Sequence, residues 1–307
     1  MSRQLVGAVE AGRHLPRVDA GIALAGALGL DVADLFADAF PAVDVVTGRV
    51  PASGTRVRSG RVGRQTVVAP LHQAPDGWGG IDGEVQDGNF VPWVTQRDGL
   101  VIAGCEPGLE VLERLLRQTG AAAVSVTASS AAAIDALQHK RVHAAVVHGP
   151  ALQRAAELAD VVRIHLASWE VGLADSADAA EDWFDEALSG RVPVVQREAG
   201  AGVQTEFETR VDRVGPVPGP RAGSHLEAAS RAVYGGIPAV TIEPAALAVG
   251  AEFRSFGFHE TELWIDAEWR DDRVVTEALD VIADRRYQQR LRTVGGYDLS
   301  RFGSRLS

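Results

Sequence analysis

The chain of 307 residues contains a single cysteine, Cys105. That excludes an internal disulfide framework and any cysteine-rich zinc site, so packing alone must hold the fold, as suits a reducing compartment. No stretch approaches the ~18 consecutive apolar residues of a membrane span. The opening MSRQLVGAVEAGRH lacks the apolar run and small-residue cleavage site of a secretory leader. A soluble, cytoplasmic protein with no membrane partner is expected. Basic excess is missing too: 30 Lys and Arg stand against 41 Asp and Glu, a net charge of −11. This argues against a protein that coats nucleic acid non-specifically, because phosphate affinity comes from clustered Lys and Arg. A local basic face stays open, since Arg49, Arg56, Arg58, Arg61 and Arg64 fall in a stretch without one acid. The spacing reads more simply as a solvated strand with its arginines outward than as a DNA-facing patch.

What is present is enough apolar material for two domains: 46% of the residues are hydrophobic, and the length is about two domains' worth. Residues 2–10 read as a short helix with Ser2 as N-cap and Leu5, Val6 and Val9 on one face, ended by Gly12. A second helix starts near Asp19, carries Ile22, Leu24, Ala25 and Leu28, and closes at Gly29. Val32, Leu35 and Phe36 suggest a third, entered through Asp31. Between 41 and 97, Pro, Gly and short runs such as Thr55-Arg56-Val57-Arg58 and Thr66-Val67-Val68 indicate a linker or a small β-rich segment.

From Leu100 onward apolar strands alternate with helical stretches. LVIAG precedes a helix at 107–118, AAVSV one at 130–138, HAAVV one at 151–159 and VRIHLA one at 180–188. VPVVQ then precedes 203–211, a helix follows at 225–234, AVTIE precedes 244–249, a strand covers 262–266, and a last helix runs over 273–293. That is the βα rhythm of a doubly wound parallel sheet. Two α/β lobes joined by two crossing strands would use all of it.

In an open parallel sheet, ligands collect where strand C-termini meet helix N-termini, because free backbone N–H groups and the helix dipole converge there. Six such junctions carry a cap, a glycine turn or a polar group: Cys105-Glu106-Pro107, Thr127-Ala128-Ser129-Ser130, His148-Gly149-Pro150, Arg197 to Gly202, Ser224-His225 and Glu243-Pro244. Each alone is equally an ordinary cap or turn. Their coincidence around one sheet makes Cys105, Glu106, Ser129, Ser130, His148, Arg197, Ala201, Gly202, Ser224, His225 and Glu243 the candidate ligand-binding set.

Cys105 on a strand-to-helix turn, with His148 and His225 elsewhere, also invites a nucleophile reading. The expected G-x-C-x-G elbow is absent, since Ala103 stands two residues before Cys105 and Pro107 two after. No catalytic residue, enzyme activity or cofactor is therefore expected. His139, His143 and His148 span a helix end and a strand at i, i+4 and i+9, which does not gather three nitrogens about one ion. No metal is expected either.

The segment SRQLVGAVEAGRHLPRVDAGIALAGALGLDVADLF resembles the second half of the Xre (lambda-repressor and Cro-like) helix-turn-helix domain. The likeness runs through a recognition helix, the Glu10-x-Gly12 stop, Pro16, the next helix and a Leu-Gly-Leu-Asp-Val corner. It implies that the helix starting at Ser2 lies in the major groove, with Arg3, Gln4 and Ala8 at base edges and Ser2 and Arg13 at phosphates. The family's first two helices have no counterpart, so a partial domain is expected.

From about 98 to 305 the chain resembles the binding-protein-like effector domain of helix-turn-helix regulators grouped with periplasmic molybdate-binding proteins. VIAGCEPGLEVL, TASSAAAIDAL, AAVVHGP, PVVQREAGAGVQ, SHLEAASRAV, VTIEPAALAVG and VGGYDLSRFGS carry that likeness. It implies a type II periplasmic-binding-protein-like, two-lobed α/β fold that closes on a small molecule. Oxyanion-binding relatives show hydroxyls in the loops equivalent to Cys105, Ser129 and Gly202-Val203, and here only the middle loop keeps them. Glu106, Glu198 and Glu243 would also crowd an anion unless paired with Arg197. A molybdate-like oxyanion and a zwitterionic or cofactor-like ligand both stay open.

The expected organisation is a partial all-α helix-turn-helix domain at 1–40, a linker or β-rich segment at 41–97, and an effector domain at 98–307. Lobe 1 would take about 98–170 and 260–307, and lobe 2 about 171–259. The expected function is a ligand-responsive, DNA-binding transcription regulator, a homodimer whose partners are DNA and a small-molecule effector. The alternative is a cytoplasmic small-ligand-binding protein without DNA binding.

Overall fold

The computed structural model describes residues 3–10, 16–30, 32, 40–73, 80–94, 98–158, 160–212 and 215–306. The chain divides into two compact units, Met1–Phe40 and Pro41–Ser307. In the first, Arg3–Glu10 form α1 and Val18–Leu28 form α2. Asp19 sits in the first turn of α2, where a negative charge meets the positive end of the helix dipole. Gly29 closes the helix at φ 68°, its N–H on the Ala25 carbonyl. Arg3 and Gln4 are exposed, and so are Val18, Ile22 and Leu28. Ser2, Gly12, Arg13, Leu35 and Phe36 lie outside the described residues.

From the boundary of the second unit onward the chain forms a six-stranded sheet made of β1 (Phe40–Pro41), β2 (Val43–Asp44), β3 (Arg56–Val62), β4 (Gln65–Pro70), β5 (Gly83–Gln86) and β6 (Asn89–Pro92). Its order is β1-β6-β5-β3-β4-β2. A second sheet follows, with β7 (Gly99–Gly104), β8 (Ala122–Thr127) and β9 (Ala144–His148) parallel to one another. Between them come α3 (Gly108–Thr119) and α4 (Ser130–Gln138). The chain then leaves this lobe along β10 (Val161–Asp175) and builds the other from α5 (Trp183–Leu188), α6 (Gly202–Arg210), α7 (His225–Gly235), β11 (Ala239–Ile242) and α8 (Glu243–Ala248). It returns along β12 (Glu252–Asp266) and ends with α9 (Arg273–Ala283), α10 (Arg285–Val294) and β13 (Arg305–Leu306).

This is the expected two-lobed α/β arrangement with two crossing strands. Its sheet runs β11-β10-β12-β9-β7-β8, with β13 added on β10. The parallel rhythm is broken at the crossing, where β10 and β12 pair antiparallel from Val161↔Asp266 to Asp175↔Glu252. The strand expected at 262–266 is thus the end of a 15-residue one. The expected strand VPVVQ makes only isolated bridges, because Val194, Val195 and Gln196 donate to the carbonyls of Pro218, Pro238 and Pro220. Proline has no N–H to return, so no ladder propagates. The long last helix is two, restarted where Asp284 caps α10 by accepting from the Arg286 N–H at 2.7 Å.

The strand β7 is buried on both faces, which is why it reads as an unbroken apolar run. Leu100 and Ile102 point to a core with Leu112 and Leu116 of α3 and Val275 and Ile282 of α9. Val101 and Ala103 point the other way, into a cluster with Ile134 and Leu137 of α4, Val62, Val67 and Ala69 of the first sheet, and Val45 in the turn after β2. The 41–97 segment is therefore part of the lobe's core. Gly60 on β3 allows this approach, since a side chain there would run into Val101.

The outward-arginine reading fails at Arg58, which is buried. It bonds Glu113 of α3 and donates to the Ala123 carbonyl at 2.8 Å. Glu113 also accepts from the hydroxyl and the amide of Ser125. Burial pushes the Glu113 carboxyl up, but the bond and charge of Arg58, with Ser125, hold it below its ordinary range. Glu113→Gln strands Arg58 as a buried charge and is expected to lower the unfolding free energy by about 3–5 kcal/mol. Because the folded pKa is depressed, the pair's contribution is complete above the unfolded value of about 4.3 and is lost as pH falls through the folded one. Urea unfolding against pH checks both points: a variant with the wild-type midpoint and acid slope would show that the pair contributes nothing.

Candidate functional site

Five elements of the second unit converge at one point. The turn after β7 directs Cys105 and Glu106 inward, β9 ends on His148, and α7 begins with His225. The crossing strands add Trp169 and His259, which face each other in the β10–β12 register. All of these side chains are buried.

Cys105 Sγ lies 2.8 Å from His148 Nε2, and His148 Nδ1 lies 3.1 Å from His259 Nδ1. The Trp169 ring packs among the imidazoles, its centroid 4.9 Å from His148, 5.5 Å from His259 and 6.1 Å from His225. Ser130 fixes His148 from behind by accepting its backbone N–H at 3.2 Å. Gly202, at the start of α6, leaves room on the far side: a Cβ there would stand 3.3 Å from His259 Cε1. Ala201 beside it is buried. Arg197 donates from Nε to the Ala222 carbonyl and from Nη2 to that of Gly223, each at 3.2 Å.

Burial holds the imidazoles neutral. His148 and His225 are pushed well below the ordinary value, with Arg197 and the other imidazoles adding to the effect. His259 falls to about 4 from burial. The same burial pushes the Cys105 thiol up to about 12, against the opposing pull of Arg197. Cys105 and His148 have the spacing of a nucleophile and its base, yet a protonated thiol beside a neutral imidazole is not an activated thiolate.

The cluster is short of partners. Both ring nitrogens of His225, Nε2 of His259 and Nη1 of Arg197 are buried without a hydrogen bond, and each such group costs about 1–3 kcal/mol if left unpaired. Beside it lies a cavity of about 310 Å³, walled by the Cys105–Pro107 turn and Thr127 on one side, Gly223–Glu227 on the other, and His72 and Gln73 from the first sheet's connection. The helix starts of α3 and α7 both border it, which favours negative groups of a ligand.

No family model and no curated protein matches the chain. Solved structures do. The reduced form of the OxyR regulatory domain from Pseudomonas aeruginosa is 14% identical, with 60% of this chain and 96% of that one covered at a TM-score of 0.44. An ABC-type phosphate transport receptor from Vibrio cholerae is 12% identical, with 65% and 99% covered and a TM-score of 0.46. The full-length LTTR LysG from Corynebacterium glutamicum, with bound effector Arg, is 16% identical, with 60% and 66% covered and a TM-score of 0.45.

Of the residues picked out in the sequence, Cys105, His148, Arg197, Gly202 and His225 come together at the cluster, and Ser224 borders the cavity. Ser224 also caps α7, accepting from the Glu227 N–H at 3.1 Å. Ser129 is spent on capping α4, where it accepts from Ala132. Glu243 is not at the cavity. It opens α8 under the C-terminal turn, near Gly296, and burial followed by the charge of Glu170 raises its pKa. His139 stays on the surface beside Asp135, and His143 accepts the Val101 N–H, so neither joins His148. Trp169 and His259 were missed. A parity signal existed for His259, which shares the buried face of β12 with Thr261, Leu263 and Ile265.

Glu106 borders the cavity, but its carboxylate is already occupied. Oε2 accepts from Trp169 Nε1 at 2.9 Å, while Oε1 accepts from the Tyr297 hydroxyl at 2.5 Å and the Gly108 N–H at 2.8 Å. Burial nevertheless leaves its pKa raised. Glu106→Ala strands the indole and the phenol, and is expected to cost roughly 2–6 kcal/mol for the two groups. Chemical unfolding measures it, and a loss below about 1 kcal/mol would show that water replaces the carboxylate.

Proposed function

We propose that this chain is a ligand-responsive, DNA-binding transcription regulator of the cytoplasm, working as a homodimer. A small polar molecule would bind in the cleft of the second unit, and the first unit would read DNA through α1. The observation that carries this reading is the 310 Å³ cavity with walls from both lobes. Such a cavity offers differential contacts to an open and a closed arrangement, and only a ligand that discriminates between two states can shift them. Its lining mixes helix starts with Glu110 and Glu227, a balance that suits a zwitterion better than a bare oxyanion such as molybdate. The helix-turn-helix likeness and the exposed Arg3 and Gln4 support the DNA-reading half. Paired heads of a homodimer would match two-fold operators.

Thermal-shift screening of the full chain against molybdate, tungstate, sulfate and small zwitterions finds the ligand. At about 100 times its Kd, a binder stabilises by about 2.7 kcal/mol, a shift of several degrees. Thr127→Phe, which adds a bulky ring to the cavity wall, is expected to abolish the shift. Selection of genomic fragments by the full chain, with and without that ligand, then tests the coupling. A ligand that moves the melting temperature without changing fragment binding would sink the regulator reading and leave a ligand-binding protein.

A further inference from the structure

Among the unpaired atoms of the buried cluster, the ring nitrogens of His225 stand beside two other metal-ligating side chains. Among the described residues, a ring nitrogen of His148, one of His225 and the Cys105 sulfur lie within 4.8 Å of one another, all three residues buried. His225 has no other bond to make, since both its ring nitrogens are without a partner. We propose that Cys105, His148 and His225 bind a transition-metal ion of the zinc class through one thiolate and two imidazoles, in place of the metal-free protein expected from the sequence.

The donor set fits such an ion. Thiolate with imidazole selects a borderline-soft cation over calcium or magnesium. With bonds of about 2.3 Å to sulfur and 2.0–2.1 Å to nitrogen, a tetrahedral site needs its sulfur and nitrogen about 3.5 Å apart. The present separations, 2.8 Å for Cys105 to His148 and within 4.8 Å overall, bracket that value, so small ring rotations suffice.

Around the donors, the structure supplies an outer shell. With His148 Nε2 on the ion, its Nδ1–H donates to His259 Nδ1, the 3.1 Å contact already in place. His259 then presents Nε2–H toward Glu206, whose Oε1 lies 4.0 Å away and whose Oε2 is buried and unpartnered. A ligating histidine whose second nitrogen is tied through a chain ending on a carboxylate is held in one tautomer and orientation. His259 is thus a positioning residue, not a ligand.

The fourth position faces the cavity. Binding expels the Cys105 thiol proton to solvent. Cys105 and His225 also border the 310 Å³ cavity, from which hydroxide or a carboxylate can reach the ion.

Cobalt(II) added to the chelator-treated full chain is the probe, with zinc as competitor. The expected result is a single equivalent bound, with a thiolate-to-cobalt charge-transfer band and the intense visible bands of a tetrahedral ion, both erased by zinc. Cys105→Ser should remove the charge-transfer band, and His225→Ala should abolish stoichiometric binding. His259→Gln should keep the band but weaken affinity about 10- to 100-fold. No binding by the wild-type chain, binding without the charge-transfer band, or affinity unchanged in His225→Ala would each overturn the proposal. The wild-type spectrum decides the matter even if a variant fails to fold. None of these readouts involves DNA or the cavity ligand, so the site can stand or fall apart from the regulator reading.

Discussion

The β10–β12 ribbon is the constraint on which the second unit depends. Its two strands hydrogen-bond to one another from Val161↔Asp266 to Asp175↔Glu252, and each lobe is completed by its own end. One end carries β9 and through it the parallel strands β7 and β8; the other carries β11 and the helices around it. Neither lobe can close its sheet without the ribbon, so their cores are coupled through backbone pairing, with little room for independent unfolding. The ribbon also brings His259 and Trp169 opposite one another, so the buried cluster forms only when its register is right.

Polar groups make the second tie. Glu106 bonds Trp169 on the ribbon and Tyr297 in the C-terminal turn, while Glu113 bonds Arg58 in the first sheet. In both cases a carboxylate just after or within a lobe element reaches far along the sequence for its donors. Buried ion pairs are poor net stabilisers but costly to break. Their effect here is to specify which faces meet: Arg58 has a low-energy place only where Glu113 and the Ala123 carbonyl stand ready.

Much of this was legible in the sequence. The apolar runs at Leu100, Ala122 and Ala144 are buried on both faces, and such strands announce themselves without alternation. The closing glycine of a helix was readable for the same local reason, as with Gly29. The losses are all non-local. Arg58 lies in an alternating, arginine-rich strand that looks like surface until its partner 55 residues away is known. The front of β12 mixes charge, glycine and phenylalanine because it is half-exposed, so only its apolar end was visible. VPVVQ has strand composition, yet its hydrogen-bond acceptors are proline carbonyls. At the site, Cys105, His148 and His225 were marked by their junctions, whereas His259 sits mid-strand with no turn to betray it. The ion they would share was not foreseen, because spacing was judged among histidines close in sequence.

The ribbon is not uniform. Its register slips between His165 and Ala167 and again between Val171 and Gly172, and bulges of this kind add local twist. Trp169 stands between the two slips, fully buried, with three imidazoles around its ring. Any pivoting of one lobe on the other must pass through this segment and alter what surrounds the indole. The indole thus stands where the strands that link the two lobes are least regular, walled by groups from both of them.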